Sequence, residues 1–422
     1  MNNQWKTWLA MMCFVLCMPG IAGAAGYGIY EWGARGQALG GSMAARGEDP
    51  STVVYNPAGM TQLPGTQVSA GITIVRPSAS VLSDTYDGGE GVDNTWLIPN
   101  TYFTTQLGER YWLGVALYSR TGLGTEYRSN EDWYGRYNSM YAGIKQVSLN
   151  PNIAIKLTDS LSMAVGLEIA YIEVNLQKMV TVTGDSTGDV KQKLTGGDAG
   201  YGFNLAVQYK PLDWLSLGAS YRNEIDVSME GKADFSNIGT AAIGGNAAQV
   251  ISQQYGDTFK ATEPLPAMLS LGVMIKPIDK LSISFDLLRT YWSAYDELKI
   301  EMTDAVTPTT SITEKNWKDV NRYSVGIEYA LRDWVDLRAG YTYDESPIDP
   351  DHAEYQIPSN DRQIYSVGTG FHWDSWTIDL AYSYLTVKDR DFSSSEETGV
   401  DTTSTFTDGK SHLFAMNVGY KF

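Results

Sequence analysis

From about residue 100 to the C-terminus, large apolar side chains recur at every second position. In Tyr201-Gly-Phe-Asn-Leu-Ala-Val-Gln-Tyr209 the odd positions are large and apolar, the even ones small or polar. Leu161, Met163, Val165, Leu167, Ile169 and Tyr171 alternate in the same way with Ser162, Ala164, Gly166, Glu168 and Ala170. The pattern returns at Tyr323–Leu331 and in the final segment through Phe414, Met416, Val418, Tyr420 and Phe422. A period of two over about ten residues predicts strands whose two faces meet different surroundings.

The connections between these segments alternate in length. Short turns fall at Gly108-Glu109-Arg110, Thr158-Asp159-Ser160, Pro211-Leu212-Asp213, Pro277-Ile278-Asp279, Arg332-Asp333 and Trp373-Asp374-Ser375. Long polar connections separate them, near 78–98, 120–146, 177–200, 230–264, 302–320, 345–362 and 389–410. Six short and seven long connections predict fourteen strands, with both chain ends on the short-turn side. An even count with turns on one rim and loops on the other is the arrangement of a bacterial outer-membrane barrel. The fold class predicted is therefore all-β, a 14-stranded antiparallel transmembrane β-barrel.

A secreted sandwich or propeller also alternates, but its second face meets water and carries frequent charge. Here that face is rich in Gly, Ala and Ser with isolated Glu168, Asp286, Glu328, Arg338 and Asp379, which suits a crowded lumen. Aromatics gather near strand ends, at Tyr111, Trp112, Tyr209, Trp214, Tyr291, Trp292, Tyr329, Trp334, Trp373 and Trp376. Amphipathic rings favour the two membrane interfaces, so these predict girdles.

Composition first suggests something else. The chain has 422 residues, 49 acidic against 31 basic, and 43% hydrophobic residues; its mean hydropathy is -0.24. Those values resemble an acidic soluble protein, yet 27 Tyr, 12 Trp and 42 Gly do not. A barrel resolves the conflict, because only alternate residues face lipid and no long apolar run arises. The net charge of -18 argues against nucleic-acid binding. Much of the acid lies in the long loops, where solvation explains it and divalent cations bridging lipopolysaccharide are a second role.

The N-terminus predicts the compartment. Residues 1–24 carry Lys6, an apolar run from Trp8 to Pro19 and the small-residue pattern Ala22-Gly23-Ala24. This is the form of a cleaved secretory signal peptide, with the mature chain starting at Ala25. Cys13 and Cys17 both fall inside it, leaving no disulfide and no thiol chemistry afterwards.

Residues 25–65 do not alternate. They are rich in Gly and Ala from Gly33 to Arg46 and continue through Glu48-Asp49-Pro50 to Tyr55-Asn56-Pro57-Ala58-Gly59-Met60. Forty compact residues ahead of a barrel predict an N-terminal hatch, or plug, inside the lumen rather than a free arm. The division is thus 1–24 signal, 25–65 hatch and 66–422 barrel.

At this point the residues resemble a known family, the FadL/TodX outer-membrane transporters of long-chain fatty acids and hydrophobic compounds. The likeness rests on Tyr55–Met60, on Gly122-Leu123-Gly124-Thr125-Glu126-Tyr127 leading to Trp133-Tyr134-Gly135-Arg136-Tyr137, and on Leu265-Pro266. Tyr291-Trp292-Ser293, Arg338 through Pro347, Pro358 and Asp361-Arg362 follow in order. The resemblance spans the mature chain. It implies capture of substrate between two long outer loops, transfer to an apolar pocket, and sideways release at a kinked strand as the hatch moves. It implies no cofactor, metal or ATP, only flow down a gradient.

Asn56, Pro57 and Ala58 match the hatch motif and are candidate gating residues. Tyr127, Trp133, Tyr134, Tyr137, Met140 and Tyr141 are candidates for the outer groove, against self-packing of the loop as the alternative. The loop near 230–264 carries Ile238, Ala241, Ala242, Ile243, Ala247, Ala248, Val250 and Ile251, which predict a short amphipathic helix facing the first loop. Arg128, Arg136 and Lys145 are candidate anchors for a substrate carboxylate, with surface ion pairing as the plainer role. Gly114 is the candidate kink in the third strand. Phe422, with Tyr420 two residues before it, resembles the signal read by the barrel-assembly machinery.

Enzymatic readings find little support. His352, His372 and His412 lie near no nucleophile motif, and no metal-ligand spacing occurs. The expected function is passive uptake of long-chain fatty acids or related hydrophobic compounds by a monomer seated among outer-membrane lipid and lipopolysaccharide. The alternatives are a hydrocarbon- or aromatic-specific channel of the same family and a non-transporting adhesin or receptor barrel.

Overall fold

The structure, a computed structural model, describes residues 27–86, 89–128, 131–181, 189–237, 247–306, 309–392 and 403–422. The expected signal peptide, both cysteines, and Ile238, Ala241, Ala242 and Ile243 lie outside the described residues. Fourteen antiparallel staves close on themselves. They are β1 (Thr66–Ser83), β2 (Trp96–Leu107), β3 (Tyr111–Tyr118), β4 (Tyr141–Lys156), β5 (Leu161–Thr181), β6 (Asp189–Leu212) and β7 (Leu215–Arg222). The remainder are β8 (Met268–Ile278), β9 (Leu281–Thr290), β10 (Val320–Arg332), β11 (Val335–Asp344), β12 (Arg362–Trp373), β13 (Trp376–Val387) and β14 (Ser404–Lys421). Each pairs with its sequence neighbours, and β14 pairs with β1, for example Ile72 with Met416. Closure leaves no continuous edge unpaired, which a bilayer requires because it offers backbone groups no hydrogen-bonding solvent.

The six short turns stand where expected, but the long connections are shorter than the pattern suggested. β5 has 21 residues and β6 has 24, about twice what crosses a bilayer. Short strands at Gly122–Glu126, Ile225–Asn237, Thr258–Leu265, Glu297–Met302 and Thr309–Glu314 carry other staves outward in the same way. The alternation persists there but changes phase. Along β5 the outward row is Leu161, Met163, Val165, Leu167, Ile169, Tyr171 and then Glu173, while the inward row turns from Ser162, Ala164, Gly166 to Ile172 and Val174. Lipid contacts the apolar outward row. Beyond the membrane, water contacts a polar outward row and the apolar residues turn inside.

The girdles need one correction. Tyr111, Trp214, Trp334, Trp373 and Trp376 face outward and exposed, whereas Trp112 and Trp292 are buried within. Adjacent residues of a strand face opposite sides, so a Tyr-Trp pair such as Tyr111-Trp112 sends one ring to lipid and the other to the lumen.

Residues 27–65 lie inside the barrel, nearly all buried. They form two short helices, α1 (Ala34–Ala38) and α2 (Thr52–Tyr55), and a 3-10 segment at Pro57–Gln62. Small residues allow this fit. A Cβ on Gly340 would lie 2.3 Å from the Gly40 amide nitrogen, and one on Gly218 would lie 1.8 Å from the Ala44 carbonyl oxygen. A third helix, α3 (Ala247–Tyr255), sits at the outer rim against the extensions of β6 and β7. It supplies the short helix expected in that loop.

Candidate functional site

The inner segment is tied to the wall by a dense polar network. Glu328 on β10 accepts from Arg35 at 2.8 Å, from Arg338 at 2.6 Å and from Arg46 at 3.5 Å, and Arg338 also pairs with Asp379. Arg46 further donates to the hydroxyls of Ser284 (3.1 Å) and Ser282 (3.0 Å). Arg322 pairs with Glu31 at 2.8 Å, and Asp286 accepts from the Ala44 amide at 2.7 Å. Inward Asp286, Glu328 and Arg338 thus tie residues 27–65 to the wall. Charges at this depth need such partners, since desolvating one alone costs several kcal/mol.

Asn56 is fully buried and acts as a three-way tie. Its Nδ2 donates to the carbonyls of Ala44 (2.6 Å) and Val207 (3.0 Å), and its Oδ1 accepts from the Ala58 amide at 3.1 Å. The first and third bonds shape the turn of the inner segment, with Pro57 opening the 3-10 segment. The second reaches the β6 wall.

The third stave is interrupted. β3 ends at Tyr118 and resumes at Gly122–Glu126, and Ser119, Arg120 and Thr121 between them leave the ladder. The pairing of β2 with β3 stops at Thr101–Leu117, while the resumed piece pairs with β4. Among the described residues, Trp96 to Asn100 of β2 therefore pair with β1 alone. Leu123 there has φ of 82°, a left-handed conformation costly for a branched side chain. Gly114 is not the break, since it pairs with both Thr104 and Asn152. It is an inward position where a Cβ would lie 2.2 Å from the Met60 sulfur, so the glycine makes room for Met60 of the inner segment.

Residues 27–32 stop this gap from within. The Ile29 amide donates to the Arg120 carbonyl (2.8 Å), the Gly122 amide to the Tyr27 carbonyl (3.0 Å), and Trp32 Nε1 to the Ser119 carbonyl (2.8 Å). Arg120 turns inward, where Glu168 receives it at 3.4 Å together with Arg222 at 3.2 Å. Arg222 also donates to the Val54 carbonyl at 2.7 Å. Apolar Ile29, Trp96, Ile98 and Leu123 cluster across the gap.

Above the inner segment lie two neighbouring cavities. The inner one is lined by Tyr27, Leu123, Ile144, Val174, Met229, Phe259, Tyr295 and Ile357 among others, with Glu263 as its charged residue. The outer one is more polar and bounded by Tyr141, Gln177, Lys178, Gln192, Tyr255 and Thr313. They share Leu176, Leu298, Ile300 and Gln356. The Lys178 ammonium makes no hydrogen bond or ion pair among the described residues. Burial pulls its ammonium below the ordinary lysine range.

The expected groove residues divide. Tyr141 lines the outer cavity. Tyr127 and Trp133 stack at 3.9 Å and pack with Tyr134 and Tyr355 into a buried aromatic cap. Met140 is buried, and the Tyr137 hydroxyl donates to Asp189. The loop thus packs on itself and forms a roof more than a surface. Arg128 pairs with Glu90 and Asp93, Arg136 with Asp189, and Lys145 with Glu173; none of the three lines either cavity. Lys178 and Glu263 were missed by sequence reasoning. The phase change that brings Ile172, Val174 and Leu176 inward is the signal that points to their rows. Phe422 is exposed at the turn-side rim, its ring 4.8 Å from that of Tyr420.

A closed barrel with girdles, a filled lumen and apolar cavities on its outer side defines an outer-membrane transport protein. Its solved likenesses have the same fold. A Pseudomonas aeruginosa FadL homologue superposes with a TM-score of 0.82 at 18% identity, covering 95% of this chain and 100% of that one. The Pseudomonas putida toluene transporter TodX gives 0.71 at 17% identity, over 93% and 98%. In sequence, the chain is 26% identical to a 47 kDa outer membrane protein of Pasteurella multocida across 90% of each. It is 24% identical to the long-chain fatty acid transport protein of Escherichia coli O6:H1 across 95% of each. Residues 15–422 match the outer membrane protein transport protein (OMPP1/FadL/TodX) model, and the chain belongs to that family.

Proposed function

We propose that this protein carries long-chain fatty acids or related hydrophobic compounds passively across the outer membrane. The observation that carries the reading is the pair of joined cavities ending at an interrupted strand. A molecule enters the outer cavity, where Lys178 receives an anionic head group. Its chain then moves into the apolar inner cavity past Leu176, Leu298 and Ile300. Each buried methylene contributes about 0.8 kcal/mol, so a ten-carbon chain outweighs a head-group contact of about 1.5–3 kcal/mol. The chain sets affinity and the head sets orientation.

Exit leads sideways. Displacing Tyr27 to Ile29 breaks two backbone hydrogen bonds and clears the apolar gap between β2 and the resumed third stave. The bilayer then takes the substrate without exposing it to water. Nothing in this path requires bond chemistry, which supports a transporter and not an enzyme. We also propose that residues 25–65 act as the hatch, that the chain works as a monomer, and that Phe422 serves insertion by the barrel-assembly machinery.

The test is uptake of a labelled long-chain fatty acid by cells lacking the gene, with and without the protein restored. Restoration should return uptake, and the purified protein in planar bilayers should show no steady ion conductance. Unchanged uptake on restoration rejects transport; a steady conductance points to an open pore instead.

A further inference from the structure

The inner cavity contains one feature that a container for pure hydrocarbon does not need. The strand Thr258–Leu265 sends Phe259, Ala261, Glu263 and Leu265 inward, and Glu263 alone in that row is charged. It is 5% exposed, opposite Val227, beside an apolar cluster containing Val227, Met229 and Leu265. Its Oε1 has no hydrogen-bond partner among the described residues. A buried oxygen left so costs about 1–3 kcal/mol, a penalty that a ligand supplying a donor removes.

We propose that the inner cavity recognises a mainly apolar ligand by a neutral O–H group, donated to Glu263. The class comprises alcohols, phenols and protonated carboxylic acids. This rests on reading the cavities as ligand sites and narrows what they take. A hydroxyl suits the carboxyl in either protonation state, since each retains an accepting oxygen. A bare hydrocarbon leaves Oε1 unpaired, and an anionic head group meets a like charge once Glu263 ionises.

Surrounding groups agree with this. Outward-facing Asp226, Ser228, Glu230, Lys260 and Thr262 place this part of the wall beyond the bilayer. Burial pushes the Glu263 carboxyl up to about 7. The titratable groups facing it are the Tyr27 and Tyr295 hydroxyls and Lys315. The Tyr27 hydroxyl donates to the neighbouring Pro264 carbonyl and also steadies the Glu263 carboxylate, while Lys315 is paired with Glu354. Lys315 attracts the carboxylate, but by less than burial disfavours it. The outer cavity has the opposite character, with Lys178 as its cation, so a fatty acid meets a base first and an acid second.

The experiment compares three ligands that differ only in head group, 4-butylphenol, butylbenzene and 4-butylbenzoate. Calorimetry on the full barrel in lipid nanodiscs, with empty nanodiscs as blank, reads their affinities at pH 6 and 8.5. The phenol should bind about tenfold tighter than butylbenzene at both pH values. The benzoate should weaken between pH 6 and 8.5. Glu263→Leu should abolish the phenol advantage while still binding butylbenzene. Glu263→Gln, which keeps an accepting oxygen, should retain that advantage and remove the benzoate's pH dependence. Equal affinity for phenol and butylbenzene, or an advantage that survives Glu263→Leu, overturns the proposal alone. Failure of all three ligands to bind overturns the transport reading with it.

Discussion

The two halves of the barrel use one alternating pattern to opposite ends. In the membrane band the inward row is small or charged, and Glu328, Arg338 and Asp379 grip the inner segment through Arg35 and Arg46. In the outer half the inward row is apolar, and Val174, Leu176 and Phe259 enclose space. The difference follows from what lies outside the wall. Lipid claims the apolar face below, leaving polar residues to pack a solid interior. Water claims the polar face above, so apolar residues gather inside, where solutes that avoid water find room. One half is built to be closed and the other to be filled.

The largest expected effect comes from breaking the closed half. Glu328→Ala leaves three guanidinium groups without their shared carboxylate, and removing one member of a buried pair costs about 3–5 kcal/mol. The barrel should unfold at lower temperature, and planar bilayers should record ion leakage through a loosened hatch. Asn56→Ala acts at one tie. Losing its bonds to Ala44 and Val207 deprives the buried Ala44 carbonyl of its donor and cuts the tie to the wall, at roughly 1–3 kcal/mol. Slower fatty-acid uptake with normal barrel assembly is expected; uptake at the wild-type rate removes Asn56 from gating.

Packing provides a sharper test of the same half. Gly114→Ala forces a methyl into the place of the Met60 sulfur, at about 1–3 kcal/mol by the usual cost of overpacking. Met60→Ala in the same molecule should recover most of the lost thermal stability. A double variant as unstable as the single one would show that Gly114 serves the strand and not the hatch.

The smallest effect belongs to the open half. Lys178→Gln should weaken capture of a long-chain carboxylate by roughly tenfold, within the range for a charged hydrogen bond. The sign of its pH dependence follows from burial, which favours the neutral amine. Capture is full at low pH and is lost as pH rises through a Lys178 value below the ordinary 10.4 or so. In the Glu263→Gln background, titrating affinity from pH 7 to 10 should show that loss with Lys178 present and a flat profile in Lys178→Gln. Loss in both would assign it elsewhere.

The pattern of residues determined the class of fold by itself. Strand number, turn positions and the inward set Glu168, Asp286, Glu328, Arg338 and Asp379 all follow from period two, because a strand can only present alternate residues to each side. The compact character of residues 25–65 followed too, from glycines and alanines that permit close approach. Tertiary structure decided the rest. Arg128, Arg136 and Lys145 had suitable chemistry, but their partners Glu90, Asp93, Asp189 and Glu173 come from other segments of the chain. The break fell at Ser119 to Thr121, not at Gly114, because Tyr27, Ile29 and Trp32 supply bonds there from some ninety residues earlier in the chain. Glu263 was one acid among many until closure set it in an apolar wall beside Tyr27. Periodicity is local and fixes which side a residue faces; a site is made by residues distant in sequence, and only barrel closure brings those together.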